Sequence, residues 1–251
     1  MAPNLLILGG TAEASALARR VAELGLETVF SYAGRVATPD AQPVPTRIGG
    51  FGGVQGLVRY LETMGITHVI DATHPFADGM SRNAIAACRA TDVPLIALTR
   101  PPWRPEAGDN WRHVIDIRNA VEAIGSEPLR VFLAIGRMEV ARFADAPQHF
   151  YLLRFVDAPE APPPLPQHQV VVARGPFDAA SDRALLEAHS IDLVVSKNSG
   201  GLGARAKLQA ARDLGLPVLM IDRPALPERV VVSTVEEVIA WLSHPGTERG
   251  V

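Results

Sequence analysis

The sequence predicts an α/β fold with mainly parallel sheets, and three observations carry that prediction. Short apolar runs recur along the chain at 5–8, 28–31, 69–71, 95–99, 131–135, 170–173, 193–196 and 218–221. They are continuous rather than alternating, which marks strands covered on both faces. Amphipathic stretches separate them, and strand alternating with helix is the βαβ repeat. The runs form two groups, one ending near residue 100 and one starting near residue 131, so the prediction is two Rossmann-like domains, 1–101 and 102–251, with a cleft between them. About 125 residues apiece is an ordinary domain size.

Element by element, 5–14 reads as strand, glycine turn and helix start: Leu5-Leu-Ile-Leu-Gly-Gly-Thr-Ala-Glu-Ala14. Ala14, Leu17, Ala18, Val21 and Leu24 then share one helical face. Amides at such a helix end favour a phosphate. The turn departs from G-x-G-x-x-G, because Thr11 and Ala14 stand where the second and third glycines belong. By itself it is equally a tight turn with no ligand. The next strand ends in Ser31-Tyr-Ala-Gly-Arg35. An NAD-type fold places a carboxylate near here for the ribose hydroxyl; a hydroxyl and a guanidinium instead suit a 2′-phosphate, so the cofactor expected is NADP(H). Gly49-Gly-Phe-Gly-Gly53 follows a short strand, and its glycines around Phe51, Gly50 among them, allow the backbone close to a flat ligand such as adenine.

The run at 69–71 continues into Asp71-Ala-Thr-His-Pro-Phe-Ala77, a strand end entering a helix whose first turn Pro75 would open. His74 is there either a helix-start histidine or an acid. Residues 100–105 are broken by proline and would carry the chain between domains, while the proline-rich 158–166 reads as an extended surface loop. In the second half three strand ends carry cations, in Ala134-Ile-Gly-Arg137, Ala173-Arg-Gly-Pro-Phe177 and Val195-Ser-Lys-Asn-Ser-Gly-Gly201. Parallel neighbours would bring Arg137, Arg174 and Lys197 to one sheet edge as a polyanion site. A final helix lies behind a capping box from Thr234 to Glu237, with Val235, Val238, Ile239 and Leu242 on its inner face.

Composition excludes several functions. Lys+Arg 24 against Asp+Glu 27 gives a net charge of −3, which argues against a nucleic-acid surface. The single Cys88 allows no intrachain disulfide and no multi-cysteine metal site, and with no signal or membrane segment evident the expected location is the cytoplasm. The lysine turn precedes its glycines and is no P-loop. Tyr32, Tyr60 and Tyr151 are followed four residues later by Val36, Met64 and Phe155, so the Tyr–Lys pair of short-chain dehydrogenases is absent. No H-E-x-x-H spacing suggests zinc, and no metal ligand is assigned.

Taken in order, Gly9-Gly-Thr-Ala-Glu13, Ser31-Tyr-Ala-Gly-Arg35, Gly49-Gly-Phe-Gly-Gly53, Asp71-Ala-Thr-His-Pro-Phe-Ala77, Ile135-Gly-Arg137, Arg174-Gly-Pro-Phe177 and Ser196-Lys-Asn-Ser-Gly-Gly201 resemble the precorrin-6A reductases of cobalamin biosynthesis. The resemblance reaches to about residue 244. It implies an oxidoreductase that uses NADPH to reduce one carbon–carbon double bond of an anionic tetrapyrrole, precorrin-6A, giving precorrin-6B without metal or flavin. Gly9, Gly10, Thr11 and Glu13 would line the cofactor diphosphate, though Glu13 could simply favour the helix N-terminus. Ser31 and Arg35 would hold the 2′-phosphate, and Thr73, His74, Pro75 and Phe76 would flank the nicotinamide. Arg137, Arg174, Gly175, Lys197, Asn198, Ser199 and Gly200 would face the tetrapyrrole. Lys197 and His74 are the catalytic candidates, Lys197 either as proton donor or as anchor for a carboxylate. The alternatives are a non-catalytic NADP(H)-binding sensor and a nucleotide-sugar transferase, the latter leaving Ser31 and Arg35 without purpose.

Overall fold

The structure, a computed structural model, describes residues 3–34 and 40–243. In chain order the elements are β1 (Asn4–Leu8), α1 (Ala12–Glu23), β2 (Glu27–Tyr32), β3 (Thr46–Ile48), α2 (Gly53–Thr63), β4 (His68–Asp71), α3 (Asp78–Thr91) and β5 (Leu95–Leu98). Then come β6 (Asn110–Val114), α4 (Ile117–Ile124), β7 (Arg130–Ala134), a 3₁₀ helix (Arg137–Asp145), β8 (Phe150–Phe155), β9 (His168–Val172), α5 (Ala179–Ala188), β10 (Leu193–Lys197), α6 (Ala206–Asp213) and β11 (Pro217–Ile221). The chain closes with β12 (Val230–Val232) and α7 (Val235–Ser243).

Two α/β units result, Met1–Pro101 with Ala225–Val251, and Pro102–Pro224. The predicted break at 101/102 matches this division, but the assignment of 225–251 to the second domain does not. β12 pairs in parallel with β5, Val230 opposite Ile96 and Val232 opposite Leu98, and so completes the first sheet.

The first sheet runs β12-β5-β4-β1-β2-β3, all parallel. Its order reverses at β1, where the chain goes outward through β2 and β3 and then through β4 and β5. Alternate residues of a strand face opposite sides, and both sides of β1 are covered. Leu5 and Ile7 pack with Ala14, Leu17 and Val21 of α1 and with Val238 and Leu242 of α7. Leu6 and Leu8 pack with Leu57 and Leu61 of α2 and with Ala84, Ala87 and Cys88 of α3. Burial on both faces is why the run at 5–8 has no polar alternation. Leu24, predicted on the inner face of α1, is instead its exposed C-cap.

The second sheet runs β6-β11-β10-β7-β8-β9, again all parallel, and reverses at β7. Phe132, Leu152, Val194, Val218 and Met220 cover one face with Leu186, Leu208 and Ala211. In each sheet the last position beyond the fifth strand is filled from elsewhere in the chain: β6 precedes its own unit's β7, and β12 follows the whole second unit. Both are edge strands, and the polar Asn110, Arg112 and His113 of β6 leave no apolar run to read. Among the described residues no helix is long and apolar enough to cross a membrane.

Candidate active site

In open parallel sheets a ligand seat forms beyond the carboxyl ends of the strands, where strand order reverses. In the first unit that place is the turn after β1. A Cβ on Gly9 would lie 2.1 Å from the Phe30 ring, and Gly10 has φ +117° with open space beside it, so both positions require glycine. Thr11 caps α1: its Oγ1 accepts from Ala14 N at 3.1 Å and donates to Ala72 O at 2.8 Å, tying the turn to the end of β4. This tight turn, opening onto a capped helix, is the cradle a diphosphate needs, and the residues present fit one. Glu13 forms an ion pair with Arg100 at 3.1 Å, a partner beyond β5 that the sequence did not suggest. Its carboxylate is therefore held between a helix N-terminus and a guanidinium.

At the end of β2, Ser31 is buried and its Oγ accepts from Arg47 Nη1 at 2.7 Å. Arg47 belongs to β3, which pairs with β2 so that Ser31 and Arg47 are neighbours. The same guanidinium donates to Gly49 O at 2.9 Å and Gly50 O at 3.1 Å, and lies 3.8 Å from the Phe51 ring centre. Phe51, expected to be offered to an adenine, thus has one ring face covered by Arg47, and Tyr60 stands edge-on to it at 5.0 Å. Arg35 lies outside the described residues.

On the other side of β1, the buried Asp71 ends β4. Its Oδ1 accepts from Thr73 Oγ1 at 2.7 Å and Thr73 N at 3.2 Å, and its Oδ2 pairs with Arg229 at 2.9 Å. Thr73 is consequently part of the loop's frame. Pro75 does not open the helix as predicted. It follows His74 in a turn closed by Ala77 N donating to His74 O at 2.7 Å, and α3 begins only at Asp78, behind the N-cap Ala77. Proline's fixed φ suits that second turn position. His74 Nδ1 accepts from Phe76 N at 3.2 Å, and the two rings are 5.9 Å apart.

In the second unit all strands are parallel, so Lys197, as the last residue of β10, and Arg137 and Arg174, beyond β7 and β9, stand at one carboxyl edge. They are spread rather than clustered, because β8 separates the strands before Arg137 and Arg174. Lys197 is 3.7 Å from Glu139 and mostly buried; the exposed Arg174 pairs with Asp157 at 3.0 Å and precedes Gly175 and its cis bond to Pro176. Arg137 is exposed. Asn198 has a different duty from the one expected: its Oδ1 accepts from Trp103 N at 2.7 Å and its Nδ2 donates to Trp103 O at 3.0 Å. Trp103 Nε1 donates to Gly201 O at 2.7 Å. Trp103, inside the 100–105 stretch read as a linker, is therefore bonded to the loop containing the buried Ser199 and Gly200. Arg223 adds donors to Asn198 O at 2.9 Å and Ser199 O at 3.1 Å.

The side chains that organise these edges and escaped the sequence reading include Arg47, Arg100, Glu139, Arg223 and Arg229. Arg47, the middle residue of the three-residue β3 just before the glycine loop, stood close enough to a strand end for that signal to have found it. A cavity of 1080 Å³ between α4 and the 3₁₀ helix has Asp116, Glu122, Glu139 and Asp145 against Arg118 and Arg142, the wrong sign for a polyanion. Burial, with Asp71 a lesser contributor, pushes the Cys88 thiol up to about 12, which leaves it no role as a nucleophile at neutral pH.

Comparison with known proteins completes the picture. The family described as precorrin-6x reductase CbiJ/CobK matches residues 4–243. The chain is 59% identical over 249 residues to the precorrin-6A reductase of Rhodobacter capsulatus, covering 99% of both chains. It is 47% identical over 243 residues to that of a Sinorhizobium species, covering 96% of this chain and 93% of the other. A solved structure titled CobK precorrin-6A reductase superposes with TM-score 0.91 at 58% identity, covering 99% of this chain and 100% of that one. With both sheets, both glycine turns and the lysine loop inside the matched span, this chain belongs to the precorrin-6x reductase CbiJ/CobK family.

Proposed function

We propose that this protein reduces one carbon–carbon double bond of precorrin-6A to give precorrin-6B, with NADPH as reductant, as a step of cobalamin biosynthesis. The substrate follows from the full-length likeness to named precorrin-6A reductases. The choice of NADPH rests on one observation, the pairing of Ser31 with a guanidinium where an NAD enzyme would place a carboxylate. When bound, NADPH supplies a hydride; the second hydrogen arrives as a proton at the neighbouring ring carbon.

The protein's own part is to bind, orient and balance charge. Gly9, Gly10 and Thr11 would receive the diphosphate, and Ser31 with Arg47 the 2′-phosphate. The turn at Thr73, His74, Pro75 and Phe76, braced by Asp71 and Arg229, would flank the nicotinamide. Lys197, Arg137 and Arg174 would hold carboxylates of the macrocycle as fixed positive charges, Lys197 kept in place by Glu139.

The test is to supply purified protein with precorrin-6A and either NADPH or NADH. Oxidation of NADPH that requires the macrocycle supports the assignment. Oxidation without it, or a preference for NADH, overturns it.

A further inference from the structure

We infer that Arg47 is the residue that sets the cofactor preference: it orients the Ser31 hydroxyl and adds its own charge, so that the edge formed by β2 and β3 receives a phosphate monoester on a ribose. This rests on the NADPH reading above and names the side chain that carries it.

A serine hydroxyl has one hydrogen to give, and Ser31 Oγ already accepts from Arg47 Nη1 at 2.7 Å. Its own hydrogen must go to another acceptor, and among the described residues it has none. Arg47 has five N–H groups, of which Nη1 spends two on Ser31 and Gly49, and Nη2 one on Gly50. Two remain, Nε–H included, without an acceptor among the described residues. One hydroxyl hydrogen and two guanidinium N–H groups, on neighbouring residues of β2 and β3, are therefore left without acceptors among the described residues. A phosphate monoester, with several acceptor oxygens and a double negative charge, matches such a set, whereas a ribose hydroxyl would leave most of it unused.

Placement is fixed by packing. The guanidinium lies 3.8 Å from the Phe51 ring centre and 5.3 Å from that of Tyr60, and its bonds to the carbonyls of Gly49 and Gly50 clamp the glycine loop onto β3. A Cβ on Gly56 would lie 1.6 Å from Phe51 O, so α2 comes close enough to this loop to hold Phe51 in place. The charge is thus presented at a defined point, which a mobile surface arginine could not do. Lysine keeps the charge but cannot make the three-bond fork.

The test measures binding alone, with no macrocycle present, by titrating nicotinamide fluorescence with wild type, Arg47→Lys and Arg47→Ala, and by competing with 2′-AMP and 5′-AMP. Circular dichroism and thermal transitions identify variants that fold; Arg47→Lys keeps the loop's charge if alanine disrupts it. The expected result is that a folded Arg47→Ala loses about tenfold or more in NADPH affinity with NADH changed by less than about threefold, and that Arg47→Lys falls between. The 2′-AMP advantage over 5′-AMP should shrink in parallel. If wild type prefers NADPH and the folded variants keep that preference, or lose both cofactors equally, Arg47 only supports the loop and this inference fails while the NADPH reading stands. If wild type shows no preference, the NADPH reading fails and takes the inference with it.

Discussion

At the scale of single residues, the chemistry of this protein turns on how each charge is held. Lys197 ends a buried strand and lies 3.7 Å from Glu139, and on the proposed reading it serves at the sheet edge as a fixed charge. Anchoring requires only the charge, and arginine supplies it. Lys197→Arg is therefore expected to keep most of its turnover, while Lys197→Ala raises the KM for precorrin-6A by about tenfold or more, the loss of one charge-assisted contact. A proton donor would give the opposite pattern, with arginine as damaging as alanine. His149 shows a residue that serves the fold alone. It is fully buried, its Nδ1 accepts from Leu129 N at 3.1 Å, and its Nε2 faces Gly125 O at 3.1 Å. An N–H can only donate, so Nδ1 must be unprotonated, and burial lowers the imidazole's pKa against a smaller opposing effect of the Gly125 carbonyl. His68 is lowered by burial as well. The unfolded chain takes up these protons near the ordinary value of about 6.5, so the stability they contribute is complete above that pH and is lost as pH falls through the lower folded values. Urea midpoints should thus fall below about pH 6.5, and His149→Gln should show a shallower slope over that range than wild type.

At the scale of elements, the return of residues 225–243 to the first unit has a chemical consequence as well as a topological one. β12 and α7 complete the sheet and cover α1, and the segment just before β12 delivers Arg229 to the buried carboxylate of Asp71. That carboxylate in turn holds Thr73, so the loop that carries His74 is braced by a residue 158 positions away from Asp71. Removing one partner of a buried pair leaves the other charged and uncompensated. Arg229→Ala should cost about 3–5 kcal/mol in urea denaturation, and the loss should be much smaller in Arg229→Ala combined with Asp71→Asn. If the single variant were as stable as wild type, the pair would not be bracing the loop. Sequence alone could not show this link, because Asp71 reads as a strand-end acid and Arg229 as a solvated charge in a proline-rich stretch. The capping box was different: Thr234 and Glu237 exchange their bonds at 3.2 and 2.9 Å as predicted, since every partner lies within one helical turn.

At the scale of the whole molecule, the same distinction between local and distant decides what was legible. Continuous apolar runs announced a doubly covered parallel sheet, and the two groups of runs announced two units. Edge strands did not announce themselves, because β6 needs apolar residues on little of its surface and β12 is only three residues long. The glycine turn, Ser31 and Lys197 do lie at strand ends, a placement the apolar runs before them gave away. Asn198 was misread because its carboxamide serves the backbone of Trp103, a pairing that only the fold creates. On the proposed reading, the two hydrogens added to the macrocycle have different origins, one from NADPH and one from solvent. Precorrin-6A incubated with the protein and NADPH deuterated at both C4 positions of the nicotinamide, in ordinary water, tests it most directly by mass spectrometry of the product. The expected product carries a single deuterium and a single new protium, whichever face of the nicotinamide is used. A reduced product containing no deuterium would contradict that reading, as would recovery of unreduced precorrin-6A.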